Sequence, residues 1–174
     1  MADNTTAIEQ FAVHLMIDGY DADPVRLADP CLLEALLRDL PDHMGMHRIS
    51  EVVVVEVGPK NRKDPGGISG FVMIAESHFS LHTFPARRFI TLDIYTCQNS
   101  LDTAAITAQL ASALGLTDMD VFVQPRGLRY PSENHPGIPS ALAIGSPPSC
   151  PVNSRLKGAD TDTQPLSKLS AMRL

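Results

Sequence analysis

Residues 75–85 of this 174-residue chain read AESHFSLHTFP, and the fold is predicted outward from this stretch. It follows an apolar run at residues 71–74 (FVMI), which is typical of a buried strand. Polar groups that are buried without partners cost free energy, so a Glu, a Ser and two His after a strand indicate either paired groups or chemistry. A second strand-like run, residues 88–97 (RFITLDIYTC), follows closely and ends in a thiol. The two runs are therefore expected to pair as a hairpin.

Such a hairpin is expected to bring Ser77, His82 and Cys97 into one neighbourhood. His78 and His82 lie four residues apart, so they share one face of the strand. Each of these residues alone has a more common structural role, as a strand serine, a satisfied core histidine or a buried thiol. Taken singly, the residues leave a structural and a catalytic interpretation open.

Three further strands are predicted from runs of apolar and β-branched residues. They span residues 11–17, 49–57 and 118–124, and Pro125 is expected to end the last one. Polar loops separate the predicted strands. Short strands joined in this way, with few helices between them, favour an antiparallel α+β layer.

Two helices accompany the strands. Asp29 is predicted as the N-cap of the first helix, with Pro30 at the first helical position, where a missing backbone N–H costs nothing. Pro41 is expected to end that helix. The second helix is predicted within residues 99–114, capped by its first or second residue, with Gly115 as the glycine that follows its end.

Composition narrows the class of protein. The chain is long enough for one domain with a substantial core, and 44% apolar with 20% charged residues is ordinary for a soluble protein. A net charge of −6 argues against nucleic acid or an anionic membrane as the main partner. No apolar run approaches the ~20 residues that a membrane helix needs. Three scattered Cys, with no C-x-x-C pair and no signal peptide, predict a cytoplasmic location.

Three segments are predicted along the chain. Residues 1–10 are polar and are expected to be flexible. Residues 11–130 are expected to form the domain. Residues 131–174 are rich in Pro and Ser, so we expect a largely flexible tail, in which Cys150 has no predicted role.

The central block resembles the small prokaryotic S-adenosylmethionine decarboxylase proenzymes. The likeness rests on residues 76–78 (ESH), 82–85 (HTFP) and 93–97 (DIYTC), at the spacing of that family and without a gap. It covers roughly residues 11–130. Members of the family cut their own chain between the Glu and the Ser and convert the Ser into a pyruvoyl group. The resemblance therefore favours the catalytic interpretation of the block.

By this resemblance, the bond between Glu76 and Ser77 is expected to be cut. The products are a β chain of residues 1–76 and an α chain of residues 77–174, which has 98 residues (174 − 76). In the implied chemistry, the Ser77 hydroxyl attacks the preceding carbonyl to form an ester. Loss of the serine α-proton then expels the Glu76 carboxylate, and loss of ammonia leaves the pyruvoyl cofactor.

The same resemblance assigns roles to other residues. His82 matches the family's base for self-cleavage, and Ser69, in the pattern Gly-x-Ser-Gly, assists it. Cys97 matches the proton donor that reprotonates the substrate carbon after decarboxylation. The pyruvoyl group from Ser77 is expected to form a Schiff base with a small amino-acid-type substrate and to act as electron sink. No metal ion is expected in the site.

The family fold implied for this chain is a two-layer α+β sandwich. We expect an antiparallel sheet of four to five strands, with helices on one face. The other face is expected to pair with a second copy, in a homodimer of cleaved protomers with active sites near the interface. The implied reaction is decarboxylation of S-adenosylmethionine for spermidine and other polyamine synthesis.

Two positions depart from the family pattern around the substrate. Lys63 stands where the family has an aromatic residue that stacks on adenine, and Ala86 stands where it has a Glu that binds the ribose hydroxyls. Phe84 keeps one aromatic wall. Losing a bidentate contact to the ribose weakens discrimination in favour of a substrate that carries a ribose. The alternative function is therefore a pyruvoyl-dependent L-ornithine or L-arginine decarboxylase.

Two further hypotheses come from other classes of protein. One is a non-catalytic metal-binding module, although its spacing matches no standard zinc pattern. Its ligands would be His78, His82, Asp93 and Cys97. The other is a degenerate relative that no longer cuts itself and serves as a partner subunit for an active paralogue.

Overall fold

The structure is a computed structural model that describes residues 10–131 together with Glu133 and Pro136. In this part of the chain the strands are β1 (Ala12–Tyr20), β2 (Val53–Val57), β3 (Gly67–Ile74), β4 (Ser77–Phe84), β5 (Phe89–Thr96) and β6 (Asp118–Arg126). The helices are α1 (Pro24–Leu27), α2 (Pro30–His43) and α3 (Thr103–Leu114), and a 3₁₀ turn at Pro85–Arg87 follows β4.

The predicted flexible segments at residues 1–10 and 131–174 lie almost wholly outside the described residues, and so does Cys150. Within the residues that are described, no helix is both long enough and apolar enough to cross a membrane.

All strands belong to one antiparallel sheet with the order β2-β3-β4-β5-β1-β6. The predicted hairpin forms between β4 and β5, where Ser77 pairs with Thr96 and Phe84 pairs with Phe89. This confirms the expected antiparallel α+β class.

The described sheet has six strands rather than the expected four to five, because residues 71–85 do not continue in one direction. The chain reverses in a turn at Ala75 and Glu76, and Ser77 pairs back across the turn with Ile74. Gly, Pro, Asn and Asp, the residues that mark most turns, are absent here. The sequence therefore carries no local sign of this reversal.

The hydrophobic core lies between the helices and one face of the sheet, as expected. On β4, Phe79, Leu81 and Thr83 are buried towards the helices, because side chains alternate along a strand. The buried Thr83 hydroxyl is satisfied by donating a hydrogen bond to the Leu27 carbonyl (2.9 Å). The helices contribute Leu33, Leu36, Leu37, Leu40, Ile106, Leu110 and Leu114 to this core.

The glycines of the pattern Gly67-Ile68-Ser69-Gly70 allow other groups to approach β3 closely. A Cβ atom on Gly70 would lie 2.5 Å from Cδ1 of Leu37, so α2 packs on β3 here because that carbon is absent. A Cβ atom on Gly67 would overlap the carbonyl oxygen of Thr83. Ser69 shares a face with the exposed side chains, so the pattern combines close packing with a hydroxyl on the opposite side of the sheet.

Several elements end at other residues than predicted. α2 continues through Pro41 to His43, since proline keeps a helical φ and removes only its own N–H bond near the helix end. α3 is capped by Asp102, whose side chain accepts a hydrogen bond from the Ala105 N–H (2.9 Å). β6 continues through Pro125, which is tolerated because β6 is an edge strand.

Candidate active site

The site is built around Ser77, the first residue of β4. Its φ of 148° lies in a region that only glycine adopts readily, and such a backbone conformation costs about 1–3 kcal/mol. The carbonyl oxygen of Glu76, directly before it, accepts a hydrogen bond from the backbone N–H of Cys97 (3.0 Å). Strain and carbonyl polarisation therefore coincide at the peptide bond that was predicted to be cut.

The carboxylate of Glu76 is held by His47, which lies between α2 and β2. The backbone N–H of His47 donates to Oε2 (3.1 Å), and its ring Nδ1 lies 2.9 Å from Oε1. The His47 carbonyl accepts from the Ala75 N–H (2.7 Å), so the turn is bound at two points. Burial raises the pKa of Glu76, but the hydrogen bonds from His47 outweigh it and hold the pKa below its usual value.

His47 is a contact that sequence reasoning missed. It is separated from Glu76 by two strands, β2 and β3, and nothing in its own segment marks it as a partner. Only the fold brings the two residues together.

His78 contacts the hydroxyl of Ser77, with Nδ1 lying 3.2 Å from Oγ. Its ring stacks on Phe71 (centroids 5.5 Å apart) and is tilted against Tyr95 (5.8 Å). Burial lowers the pKa of His78, and the nearby His14 lowers it further, while the Asp93 carboxylate opposes the shift. His78 is therefore a neutral imidazole at neutral pH, in contact with the serine hydroxyl.

His82 and Ser69 come together as expected, but not beside Ser77. The Ser69 Oγ lies 2.9 Å from Nδ1 of His82, because these residues are directly paired between β3 and β4. His82 lies five positions along β4 from Ser77 and pairs with Thr91, whereas Ser77 pairs with the residue before Cys97. At about 3.3 Å per residue, the separation is roughly 16 Å.

The prediction that Ser77, His82 and Cys97 share one neighbourhood is thus wrong for His82 within one chain. The hairpin was correctly predicted, but an extended strand holds residues five positions apart far from each other. The register of the hairpin places the end of β5, and so Cys97, beside Ser77 rather than beside His82. The candidate residues therefore fall into two groups on β4, which we call the Ser77 half-site and the His82 half-site.

A polar cluster lies near the first half-site, on the face opposite the helices. His14 Nε2 donates to Asp93 Oδ1 (3.2 Å), and its Nδ1 accepts from Arg126 (3.2 Å). The Arg126 guanidinium carbon lies 5.3 Å from the centroid of the Tyr95 ring. His14 and Asp93 therefore have hydrogen-bond partners on this face of the sheet. Thr96 is buried and accepts from the Gln98 N–H (3.2 Å).

The positions predicted to contact substrate lie towards the other end of β4. Phe84 is half-buried and stacks on Phe89 (centroids 5.9 Å apart), and Ala86 is exposed in the 3₁₀ turn. Lys63 is exposed in the loop before β3, with its backbone N–H bonded to Asn61 Oδ1 (2.8 Å). These residues belong with the His82 half-site rather than with Ser77.

The ligands of the metal-binding hypothesis are also dispersed by this register. Among residues 10–131, no three side chains of His, Cys, Asp or Glu are grouped so that they could hold a metal ion. That hypothesis gains no support from the geometry.

Comparison with known proteins agrees with the fold. A family profile described as S-adenosylmethionine decarboxylase matches residues 13–127. The chain belongs to this family.

Individual proteins that are similar to this chain are described as S-adenosylmethionine decarboxylases or their proenzymes. The chain is 30% identical over 115 residues to "S-adenosylmethionine decarboxylase proenzyme 2" of Halalkalibacterium halodurans, covering 66% of this chain and 85% of that protein. It is 29% identical over 115 residues to "S-adenosylmethionine decarboxylase proenzyme" of Pyrobaculum islandicum, covering 66% of this chain and 87% of that protein. The crystal structure of the adenosylmethionine decarboxylase from Aquifex aeolicus aligns with a TM-score of 0.57 at 25% identity, over 73% of this chain and 98% of that one.

Proposed function

We propose that this chain is a self-cleaving, pyruvoyl-dependent S-adenosylmethionine decarboxylase that contributes to polyamine synthesis. The observation that carries the proposal is the geometry of the Glu76–Ser77 bond. A strained serine follows a carbonyl that already accepts a hydrogen bond from the Cys97 N–H, which is the arrangement that an attack by the serine hydroxyl requires. Family membership supports the same reaction.

Self-cleavage begins when Oγ of Ser77 attacks the carbonyl carbon of Glu76. The Cys97 N–H stabilises the negative charge that develops on the carbonyl oxygen. Breaking the C–N bond converts the amide into an ester and frees the serine amine, which relieves the strained backbone. A base then removes the α-proton of Ser77, and the main-chain carboxylate of Glu76, not its side chain, leaves from Cβ of Ser77. The resulting enamine tautomerises to an imine, and water hydrolyses it to ammonia and the pyruvoyl group.

The base for the α-proton is proposed to come from a second copy of the chain. Within one chain His82 is roughly 16 Å from Ser77 along β4, as judged from the strand rise of about 3.3 Å per residue. A two-fold axis through the middle of the face opposite the helices would exchange the two ends of β4. His82 of the partner subunit, with its Ser69, would then face Ser77.

The surface of that face supports a homodimer. Its large apolar side chains are substantially exposed, which is uncommon for a surface that stays in water. They include Val53 (53% exposed), Val55 (51%), Phe71 (41%), Met73 (46%) and Phe122 (50%). A second sheet packed on this face would cover them.

The decarboxylation itself uses the Ser77 half-site. Once formed, the pyruvoyl group supplies the carbonyl that withdraws electrons while the substrate carboxylate leaves as carbon dioxide. Cys97 follows the strand residue that pairs with Ser77, and its side chain is exposed, so its thiol can deliver a proton to the substrate carbon. The surroundings of Ser77 therefore fit this cofactor.

S-adenosylmethionine is the proposed substrate, because the family and the names of the relatives favour it. Lys63 and Ala86 are the arguments for L-ornithine or L-arginine, and both residues are exposed near the other half-site. A cytoplasmic location remains a prediction from the cysteine content.

The test is intact-mass analysis of freshly made protein. Wild-type chain is expected to give fragments of residues 1–76 and 77–174, the larger one blocked by pyruvate, and a Ser77→Ala variant is expected to stay whole. Carbon dioxide release from S-adenosylmethionine, ornithine and arginine, measured in parallel, identifies the substrate. A wild-type chain that persists uncut with an unmodified Ser77 would contradict the proposal.

A further inference from the structure

We propose that His78 is the catalytic base for the first step of self-cleavage, in which it accepts the hydroxyl proton of Ser77. This step is distinct from removal of the α-proton, which is proposed for His82 of a second copy. The inference rests on the proposed self-cleavage and adds a division of labour between two histidines of β4.

Geometry is the first argument. Nδ1 of His78 lies 3.2 Å from Oγ of Ser77, within the range for a hydrogen bond to the attacking atom. In the described part of the chain, no other titratable side chain is hydrogen-bonded to this hydroxyl. In the tautomer that carries its proton on Nε2, His78 accepts the hydroxyl hydrogen through Nδ1.

The packing of the ring is the second argument. His78 lies against Phe71 on β3, with 24° between the ring planes, and against Tyr95 on β5. These contacts restrict the ring on both sides, so its orientation towards the hydroxyl is fixed before the reaction. A histidine that served only to fill space would not need a nitrogen aimed at the nucleophile.

The electrostatic surroundings keep His78 neutral. The titratable groups near it are His14 on β1 and Asp93 and Tyr95 on β5, and the charged Arg126 on β6 lies over the Tyr95 ring. Burial and the charge of His14 lower the pKa of His78, while the Asp93 carboxylate opposes the shift. A neutral imidazole can accept a proton at neutral pH, and it returns the proton readily.

The proposed step balances without a co-reactant. The hydroxyl proton moves from Oγ to Nδ1 of His78 as the Oγ–C bond forms, and the carbonyl electrons move to the Glu76 oxygen, which is hydrogen-bonded to the Cys97 N–H. When the intermediate collapses, the C–N bond breaks and the proton passes from Nδ1 to the departing nitrogen of Ser77. His78 ends neutral, and the net change is an isomerisation from amide to ester.

The test isolates this step from the elimination that follows. In a His82→Ala background the α-proton stays in place, so ester that forms persists until hydroxylamine cleaves it into a Glu76 hydroxamate and a chain that begins with Ser77. The rate of hydroxylamine-dependent cleavage, followed by intact mass, therefore reports the acyl shift alone.

Adding His78→Asn to this background is expected to lower that rate about a hundredfold, the lower end of what general-base catalysis contributes. Adding His78→Phe, which keeps an aromatic ring between Phe71 and Tyr95, is expected to lower it equally. With His78 present, the rate should decline at acidic pH as His78 becomes protonated. In both His78 variants the residual rate should not show this decline.

His43→Asn in the same background is the matched control, since His43 is an exposed histidine bonded to Gln109 (3.2 Å) and far along the chain from the turn. It should leave the rate unchanged. Full-rate cleavage in the His78→Phe variant would overturn the proposal and reduce His78 to a packing residue. A Ser77→Ala chain that is still cut, or a wild-type chain that never is, would instead refute self-cleavage at this bond and the role of His78 with it.

Discussion

The backbone N–H of Cys97 donates a hydrogen bond to the carbonyl oxygen of Glu76 across 3.0 Å. This contact joins the end of β5 to the turn that precedes β4, at the bond proposed to be cut. Because the donor is a backbone group, it is independent of the thiol. The proposed mechanism therefore gives Cys97 two separable functions, one in cleavage through its N–H and one in decarboxylation through its thiol.

A Cys97→Ala variant is expected to cut itself normally, because it keeps the N–H. The rate at which the decarboxylated product forms should fall about a hundredfold or more, since general-acid catalysis by the thiol is lost. N-terminal analysis of the larger chain should show pyruvate converting to alanine during turnover, as reprotonation occurs at the wrong carbon. Normal turnover by this variant would exclude the thiol as proton donor.

A Cys97→Pro variant removes the same N–H and should behave differently. Cleavage is expected to slow about a hundredfold or more, the cost of losing one oxyanion donor. Thermal denaturation distinguishes this effect from unfolding, since the variant must still melt cooperatively for the comparison to hold.

The hydrogen bonds between His47 and the Glu76 carboxylate predict a pH-dependent stability. The pKa of Glu76 is lower in the folded chain than in the unfolded one, so the pair stabilises the fold above the unfolded pKa and loses its effect as pH falls through the folded pKa. In an uncut Ser77→Ala background, His47→Ala should lower the free energy of unfolding by about 0.2–1 kcal/mol at pH 7, because the His47 side chain is exposed.

Urea denaturation between pH 7 and pH 3 measures this contribution. The difference in the free energy of unfolding between the Ser77→Ala chain and the same chain carrying His47→Ala should shrink towards pH 3. His43→Ala, which removes an exposed histidine without touching Glu76, should show a difference that does not follow this titration. A His47→Ala effect that is constant with pH would show that the carboxylate is not involved.

The two half-sites on β4 predict complementation between inactive chains. Ser77→Ala and His82→Ala homodimers should each remain uncut. In a mixed dimer, one site combines Ser77 of the His82→Ala chain with His82 of the partner subunit, so the His82→Ala chain should be cut in up to half of the assembled sites. Differently tagged chains, co-expressed and analysed by intact mass, provide the readout. Absence of cleavage in purified mixed dimers would mean that His82 does not act across the interface.

Position 86 predicts how substrate affinity can be raised. An Ala86→Glu variant restores a carboxylate where the family binds the ribose hydroxyls, and Ala86 is exposed, so the fold should tolerate it. The KM for S-adenosylmethionine is expected to fall about tenfold, the equivalent of one charged hydrogen bond, with little change in kcat. Ala86→Gln should give a smaller effect, and an unchanged KM with Glu would favour a substrate without ribose.

Local features of the sequence predicted much of the fold. Asp29 was expected to cap α2, and its side chain does accept from the N–H groups of Cys31 (2.9 Å) and Leu32 (3.1 Å). Residues 88–97 were expected to form a strand, and β5 spans Phe89–Thr96. Both signals are short-range, since a cap needs its neighbours within three residues and a strand needs only a run of suitable side chains.

The turn at Ala75 and Glu76 could not be predicted in this way. Its residues have no turn preference, and the conformation of Ser77 is held by contacts with distant segments, through His47 and Cys97. Strained backbone of this kind persists when its surroundings over-determine it, so its cause is tertiary. The same holds for His78, whose place beside the hydroxyl depends on the turn.

By itself, the sequence determined which elements form and which chemical groups they carry, because helix caps, strand runs and reactive side chains are properties of neighbouring residues. Only the tertiary structure decided that the chain reverses at Ala75 and Glu76 and how β4 and β5 pair, and with this that Cys97 lies beside Ser77 rather than beside His82. A strand register depends on which side chains can be buried together across the whole sheet, so it is selected by the packed core rather than by any single stretch of chain.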